Sequence, residues 1–157
     1  MPNPDLTKLT LKNLLSYIHG AVGTELFQNI YVRDSNGRQF DALAGGERSC
    51  AYVVSTILTM CGLIDRPHAV TATTLEAMKA AGWQAAEKPV AGAVACWPPS
   101  DSQPAHIGFY LDEQTYMSNS SAHRVATLHG PKLADGRLPA EYYVHPELLA
   151  GPGQNFI

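Results

Sequence analysis

Hydrophobic and polar positions follow a helical period in three parts of the chain, the first of them near the N-terminus. Apolar residues recur every three or four positions from Leu6 to about Val22, which predicts an amphipathic helix that Asp5 or Thr7 would cap. Further along, Thr73-Thr74-Leu75-Glu76 fits a capping box and predicts another helix that ends at Gly82. The apolar stripe of the first helix consists of Leu9, Leu11, Leu14, Leu15, Ile18 and Val22.

The third segment is the apolar run from Cys50 to Gly62, and its composition is ambiguous. It is rich in β-branched residues, which favours a strand. We predict a helix instead, because the run is longer than a typical strand and Gly62 supplies a C-terminal stop. The positions that recur at helical spacing are Cys50, Val53 or Val54, Ile57 and Cys61.

Alternating patterns predict β-strands, which lie mainly in the second half of the chain. A short N-terminal hairpin is expected around the turn 34–37, with strands over Phe27–Val32 and Arg38–Leu43. Helices then precede antiparallel strands, an order that predicts an α+β fold with N-terminal helices packed on an antiparallel β-sheet. The later strands are expected near Ala93–Trp97, Ile107–Leu111, Thr115–Met117, Arg124–Leu128 and Tyr142–Val144.

The overall composition indicates a globular protein and excludes one class of partner. The chain has 157 residues, of which 45% are hydrophobic and 16% charged, so it can bury a core and is not a disordered chain. The 11 Lys and Arg residues against 14 Asp and Glu give a formal charge of −3, with no basic stripe for phosphate groups. We therefore expect no nucleic-acid partner.

The positions of the cysteines and the pattern of the N-terminus indicate which cofactors and which cellular location to expect. The 3 cysteines lie in apolar segments rather than in a disulfide framework, so reduced thiols are expected. No zinc-knuckle spacing of Cys and His is visible, and we expect no metal and no cofactor. No apolar stretch approaches the roughly 20 residues of a membrane span, and the N-terminus shows no signal-peptide pattern. The location is unknown; a cytoplasmic one is the default expectation.

Cys50 directly follows Gly45-Gly46-Glu47-Arg48-Ser49 and opens the predicted helix. A free thiol is a weak nucleophile at neutral pH, because its ordinary pKa is roughly 8.5. The unpaired amides and the dipole at a helix N-terminus favour the thiolate. The position therefore predicts a catalytic nucleophile. The alternative is a thiol packed in the core, which is what we expect of Cys61 and Cys96.

His106 is the residue expected to act as the base; the alternative is a half-exposed histidine at the edge of a sheet. It heads the alternating segment His106–Leu111, and an imidazole next to the thiol would hold the thiol proton. Gly108 lies two residues on and shares its face, so the missing side chain would let the strand approach the cysteine helix. None of the other histidines opens an alternating strand; they are His19, His68, His123, His129 and His145.

A third group is needed to orient the second nitrogen of the imidazole. Ser118 and Asn119 follow the strand that is expected to pair with the His106 strand, so either residue could reach the ring. We prefer Asn119, because its side-chain carbonyl is a firm acceptor, and keep Ser118 as the alternative. A simple turn over 118–121 would explain Asn119 equally well.

Together these segments resemble the NlpC/P60 branch of papain-like cysteine peptidases. In that family a catalytic cysteine begins a helix, a Lys-Pro-Gly-Asp-type strand follows, and the catalytic histidine heads a His-Val-Gly-Ile-Tyr-like strand. The matching segments here are the Cys50 helix, 88–94 and 105–111, within roughly Arg48 to Ser120. The resemblance implies a papain-like α+β core and hydrolysis of amide bonds, typically in cell-wall peptides.

The resemblance also implies roles for individual residues. By position, Cys50 matches the nucleophile and His106 the base. The third catalytic residue of the family, commonly a histidine, falls on Ser118, with Asn119 adjacent. This departure leaves the third catalytic residue open.

A second departure concerns substrate recognition. The family commonly has Asp-Cys-Ser where this chain has Ser49-Cys50-Ala51, so recognition of a free peptide amine is not expected. The expected substrate-binding residues are Ser49, directly before the nucleophile, and Tyr52, on the first turn of the helix. A place in the core would explain Tyr52 equally well.

We therefore expect a single NlpC/P60-like domain over 1–157, with a helix and hairpin extension over 1–44 and a catalytic core over 45–150. The expected activity is that of a cysteine peptidase or amidase, which acts on a peptide or peptidoglycan fragment by a Cys-His thiolate mechanism with an acyl-enzyme. Two alternatives stay open: an acyl or lipid transferase on the same scaffold, and a non-enzymatic binding module in which Cys50 is buried.

Overall fold

The computed structural model describes residues 6–149, in which helices come first and antiparallel strands follow. The helices are α1 (Thr10–Ala21), α2 (Cys50–Met60) and α3 (Thr71–Ala80), with short 3₁₀ turns at Ala44–Gly46 and Pro146–Leu148. None of the three helices in this described range is long and apolar enough to cross a membrane. The strands are β1 (Tyr31–Arg33), β2 (Gln39–Asp41), β3 (Gln84–Ala86), β4 (Val94–Trp97), β5 (His106–Asp112), β6 (Thr115–Ser120), β7 (Val125–His129) and β8 (Glu141–Val144).

The last six strands form one antiparallel sheet in the order β3-β8-β4-β5-β6-β7, and β1 pairs with β2 in a separate hairpin. The predicted α+β class is therefore confirmed, as is the predicted helix that begins at Cys50. β5 has a hydrogen-bonded neighbour on each side, β4 and β6. Residues on β5 are consequently held in place by two strands.

The two faces of the sheet carry different side chains, because successive residues on a strand point to opposite faces. Ile107 and Phe109 of β5 point to the face on which α2 packs, within the main hydrophobic core. His106 and Gly108 point to the other face, where Trp97 is buried in a separate aromatic cluster. The sheet therefore lies between α2 and this cluster.

α1 begins at Thr10, later than predicted, and no side chain caps it. Thr7 is thus not its cap, and Asp5 lies outside the described residues. The chain before α1 serves another contact, in which Nζ of Lys8 donates to the carbonyl of Cys61 at 2.8 Å. This carbonyl lies at the C-terminal end of α2, where a cation interacts favourably with the helix dipole.

The predicted capping box is wrong, because α3 begins at Thr71 rather than after Thr73. The hydroxyls of Thr73 and Thr74 both donate to the carbonyl of Val70, at 3.1 and 2.9 Å. Threonine hydroxyls readily donate to a carbonyl in the preceding turn. Here they do so instead of accepting from a backbone amide of the first turn, as a capping box would require.

The five strands predicted in the second half are all present, with ends that differ by a few residues. β3 is not predicted by the pattern, because it is only three residues long and depends on its pairing with β8. β1 begins at Tyr31 rather than Phe27. Phe27 is instead buried in the core, and its carbonyl accepts a hydrogen bond from Ser49.

Gly108 allows β5 and β6 to approach each other closely. A Cβ atom at this position would lie 2.6 Å from the carbonyl oxygen of Met117, 2.7 Å from Cβ of Ser118 and 3.3 Å from the ring of Trp97. These neighbours belong to the sheet and its aromatic face, not to α2. The expectation that this glycine lets the strand approach the cysteine helix is therefore wrong.

Gly108→Ala tests this close approach. We expect the free energy of unfolding to fall by about 1 to 3 kcal/mol, because the added methyl group must displace the backbone of β6. Gly20→Ala is the matched control, since a Cβ at Gly20 meets nothing within 4 Å and alanine favours α1. Urea unfolding of both variants makes the comparison, and a Gly108→Ala protein as stable as the unaltered one would contradict the analysis.

Candidate active site

A hydrogen-bonded loop fixes the chain just before α2. The carboxylate of Asp41 accepts hydrogen bonds from the amides of Leu43 at 3.0 Å and Gly45 at 2.6 Å. Burial opposes the charge of Asp41, but hydrogen bonds from these amides and others lower its pKa to about 2. On the sheet side, the side-chain amide of Asn119 donates to the carbonyl of Gly46 at 2.7 Å. The start of α2 is thus anchored to both the hairpin and the sheet.

Cys50 is the first residue of α2 and is half-buried. Burial is the largest influence on its thiol and raises the pKa above the ordinary value. The backbone of Ile107, the hydroxyl of Thr71 and the amides of Cys50 and Ala51 act in the opposite direction, but they are outweighed. The helix start therefore favours the thiolate, as predicted, but the effect of burial on the pKa is larger.

The thiol lies at the beginning of β5, close to the backbone of Ile107, which directly follows His106. The imidazole of His106 packs against the ring of Trp97, with ring centroids 5.4 Å apart. Among residues 6–149, no hydrogen bond joins the sulfur of Cys50 to this ring. The structure thus places the two residues at the same end of β5 without a direct bond between them.

The charge state of His106 follows from its surroundings. Burial lowers its pKa to about 4, and the imidazole of His129 and the positive charge of Arg137 act in the same direction. The carboxylate of Asp135 opposes them and is outweighed. Burial thus favours the neutral form of both His106 and Cys50 at pH 7.

His106 takes part in a chain of hydrogen bonds that crosses β5, β6 and β7. Its Nε2 atom lies 2.8 Å from Oγ of Ser118, and the same Oγ lies 2.6 Å from Nε2 of His129. Nδ1 of His129 lies 2.6 Å from the carbonyl oxygen of Gly130. Ser118 is buried, so these two imidazoles are its hydrogen-bond partners in place of water.

Asn119 does not contact His106, so our preference for it as the orienting residue is wrong. It neighbours Ser118 on β6 and therefore points to the opposite face of the sheet. There its side chain is buried and holds the loop before α2 through Gly46. Ser118, the alternative, is the residue that bonds the imidazole.

His129 is a site residue that the sequence analysis misses. The register of β6 and β7 pairs Tyr116 with His129 and Ser118 with Thr127, which puts all four residues on one face. The one signal in the sequence is the alternation along β7, which places His129 on the same face as Thr127. That signal becomes informative only when the register is known.

The two residues expected to bind substrate are placed differently from each other. Ser49 is buried, and its hydroxyl donates to the carbonyl of Phe27 at 2.7 Å, so it is not available to a substrate. Its expected role is therefore wrong. Tyr52 is half-buried and meets the ring of Phe27 edge to face, with centroids 6.2 Å apart.

Arg137, in the loop after β7, forms hydrogen bonds with the loop between β4 and β5, close to His106. Its guanidinium donates to the carbonyls of Pro98 and Pro104, both at 2.7 Å, and forms an ion pair with Asp135 at 2.9 Å. All of these partners lie near the end of β5 that carries His106 or in the loop after β7.

The other two cysteines are not part of the candidate active site. Cys61 and Cys96 are free and buried, and burial raises their pKa values to about 11 and about 12. Both are core thiols, as predicted from their positions. Between residues 6 and 149, no three His, Cys, Asp or Glu side chains are grouped so that they could hold a metal ion.

Comparison with known proteins adds no relative, since no protein-family model and no curated protein matches this sequence. The functional argument therefore depends on the residues of the site.

The lowered pKa of His106 predicts how stability depends on pH. Between its ordinary pKa of 6.5 and its folded pKa of about 4, the unfolded chain binds a proton that the folded protein does not. Stability should therefore fall as the pH drops through this window, by up to about 3 kcal/mol, and stay level with respect to this group above it. His106→Phe should unfold with a shallower dependence in urea titrations. Equal pH slopes for the two proteins would contradict a buried neutral imidazole.

Proposed function

We propose that the protein is a cysteine hydrolase that cleaves amide bonds through an acyl-enzyme formed on Cys50. The observation that carries the proposal is the position of the half-buried thiol, at the first turn of α2 and at the end of β5 that bears a hydrogen-bonded imidazole. A nucleophile next to a base that a third residue orients is the arrangement that nucleophilic catalysis requires. We assign these roles to Cys50, His106 and Ser118; the mechanism requires Nδ1 of His106 to reach the sulfur when substrate binds, since no hydrogen bond joins the two groups beforehand.

His106 acts as the base through Nδ1, because its Nε2 atom is engaged by Ser118. Both groups are neutral at rest, so the thiol proton moves to Nδ1 as the sulfur attacks the carbonyl carbon, rather than beforehand. The resulting imidazolium then protonates the leaving amine. Water, deprotonated by the same nitrogen, releases the acyl group and restores the thiol.

Negative charge that develops at the attacked carbonyl has donors nearby. The amides at the start of α2 and the hydroxyl of Thr71 already favour a negatively charged sulfur. A carbonyl oxygen bound next to the sulfur would meet the same donors, which is the role of an oxyanion hole. Thr71, the first residue of α3, is a candidate donor that the sequence pattern did not identify.

The proposed substrate class is a cell-wall-type peptide, and the proposed core is of the papain-like NlpC/P60 type. Support comes from the order of the elements: a helix headed by Cys50, then β4, then β5 headed by His106 and β6 with Ser118. The family's acidic residue before the cysteine is replaced by the buried Ser49, so a peptide without a free amine at the cleaved bond fits better.

Cleavage assays with muropeptides and model amides, read by mass spectrometry, test the activity. The unaltered protein should add water across an amide bond, and Cys50→Ala should be slower by at least about 10³-fold, because no acyl-enzyme can form. Cys61→Ala is the matched control, since it removes a thiol from the other end of the same helix. Transfer of the acyl group to an added amine instead of water would indicate a transferase.

Thiol accessibility tests the nucleophile independently of any substrate. Iodoacetamide should label Cys50 in the folded protein before Cys61 and Cys96, because Cys50 is half-buried whereas the other two cysteines are buried. His106→Ala should slow this labelling at pH 7 by roughly 10-fold or more, since the base that accepts the thiol proton is removed. A Cys50 that reacts only after denaturation would favour a binding module over an enzyme.

A further inference from the structure

The hydrogen bonds around Ser118 determine where each proton lies, starting from Gly130. The carbonyl oxygen of Gly130 can only accept, so Nδ1 of His129, 2.6 Å away, must carry a hydrogen. A neutral imidazole carries one ring N–H, and burial lowers the pKa of His129 below its ordinary value. Nε2 of His129 is therefore unprotonated and can only accept.

The same reasoning continues to His106. The hydroxyl of Ser118 must donate its single hydrogen to Nε2 of His129, at 2.6 Å. Its oxygen can then only accept from Nε2 of His106, at 2.8 Å, so that nitrogen carries the hydrogen. Because His106 is neutral, its Nδ1 atom keeps a free lone pair.

We propose that His129 is a positioning residue, which acts through Ser118 to hold His106 in the tautomer whose Nδ1 atom can accept a proton. The role of that proton acceptor rests on the proposed function, whereas the tautomer itself does not. A serine alone would not select this tautomer, because a hydroxyl donates as readily as it accepts. The imidazole of His129, whose proton is held at Nδ1 by Gly130, forces the hydroxyl of Ser118 to donate to His129 and to accept from His106.

The surroundings of the two imidazoles support this assignment. His129 lies against Tyr116, with centroids 6.3 Å apart and planes 23° apart, and against Trp97 at 5.8 Å. The charged groups that face His106 are Arg137 and Asp135, which form an ion pair with each other. Neither makes a hydrogen bond to an imidazole, so the bonds from Ser118 and Gly130 set the proton positions.

The glycine of β5 contributes to the same arrangement. A Cβ at Gly108 would lie 2.7 Å from Cβ of Ser118, so a larger residue would push the serine away from the two rings. The serine can therefore lie between the two imidazoles only because that side chain is missing.

Nitrogen-resolved NMR of the histidine rings at pH 7 tests the tautomer directly. In the unaltered protein, His106 should be protonated at Nε2 and not at Nδ1. In His129→Phe, Ser118 is free to donate to Nε2, so a large share of His106 should become protonated at Nδ1. The conservative His129→Gln should keep the original tautomer, because its amide can accept from Ser118 and donate to Gly130. A His106 protonated at Nδ1 in the unaltered protein, or unchanged in His129→Phe, would overturn the proposal.

Two further variants separate this effect from loss of packing. Tyr116→Phe removes the hydrogen bond between the hydroxyls of Tyr116 and Tyr142 (2.8 Å) but leaves the chain of bonds intact, so the tautomer should not change. A changed tautomer in Tyr116→Phe would count against the proposal. If His129→Phe does not fold, Ser118→Ala provides the test, since it should likewise release Nε2 of His106. An unchanged tautomer in Ser118→Ala would also overturn the assignment.

Labelling of Cys50 by iodoacetamide distinguishes this proposal from the proposed function. The reaction forms a bond from sulfur to carbon, expels iodide and passes the thiol proton to the base. His129→Phe should slow it by roughly 10-fold or more at pH 7, and His129→Gln by much less. A changed tautomer with unchanged labelling would uphold the role of His129 and count against His106 as the base for Cys50.

Discussion

The close approach of β5 and β6 at Gly108 is the constraint on which the rest of the site depends. Because no side chain fills this position, Ser118 lies between the rings of His106 and His129 and bonds to both. Trp97 covers the same point from β4. The strands β5, β6 and β7 therefore supply one continuous chain of hydrogen bonds. The antiparallel register of the strands, rather than any loop, determines the geometry of this chain.

Burial shapes the chemistry of the site more than charge does. It raises the pKa of Cys50 and lowers that of His106, so each group is held in its neutral form. The helix start and the neighbouring amide of β5 act in favour of a thiolate without overcoming this effect. Under the proposed function, the proton therefore leaves the thiol as the sulfur attacks, rather than beforehand.

Several features of the site can be predicted from the sequence because they depend on residues that are close together along the chain. The helix that begins at Cys50 follows from periodicity and a glycine stop, and the strand headed by His106 follows from alternation. The choice between Ser118 and Asn119 does not follow in this way. Adjacent residues on a strand point to opposite faces of the sheet, so only one of the two residues can share the face of His106. We preferred Asn119 because its amide oxygen is a good acceptor, and that property does not indicate on which face the residue lies.

What the sequence by itself determined is the α+β order, the helical position of the cysteine and the strand position of the histidine, since local propensity and periodicity encode them. Only the tertiary structure decided that Ser49 is buried, that Asn119 anchors a loop, and that His129 joins the imidazole network. These outcomes depend on strand register and on burial. Both arise from contacts between residues far apart in the chain, which no local pattern records.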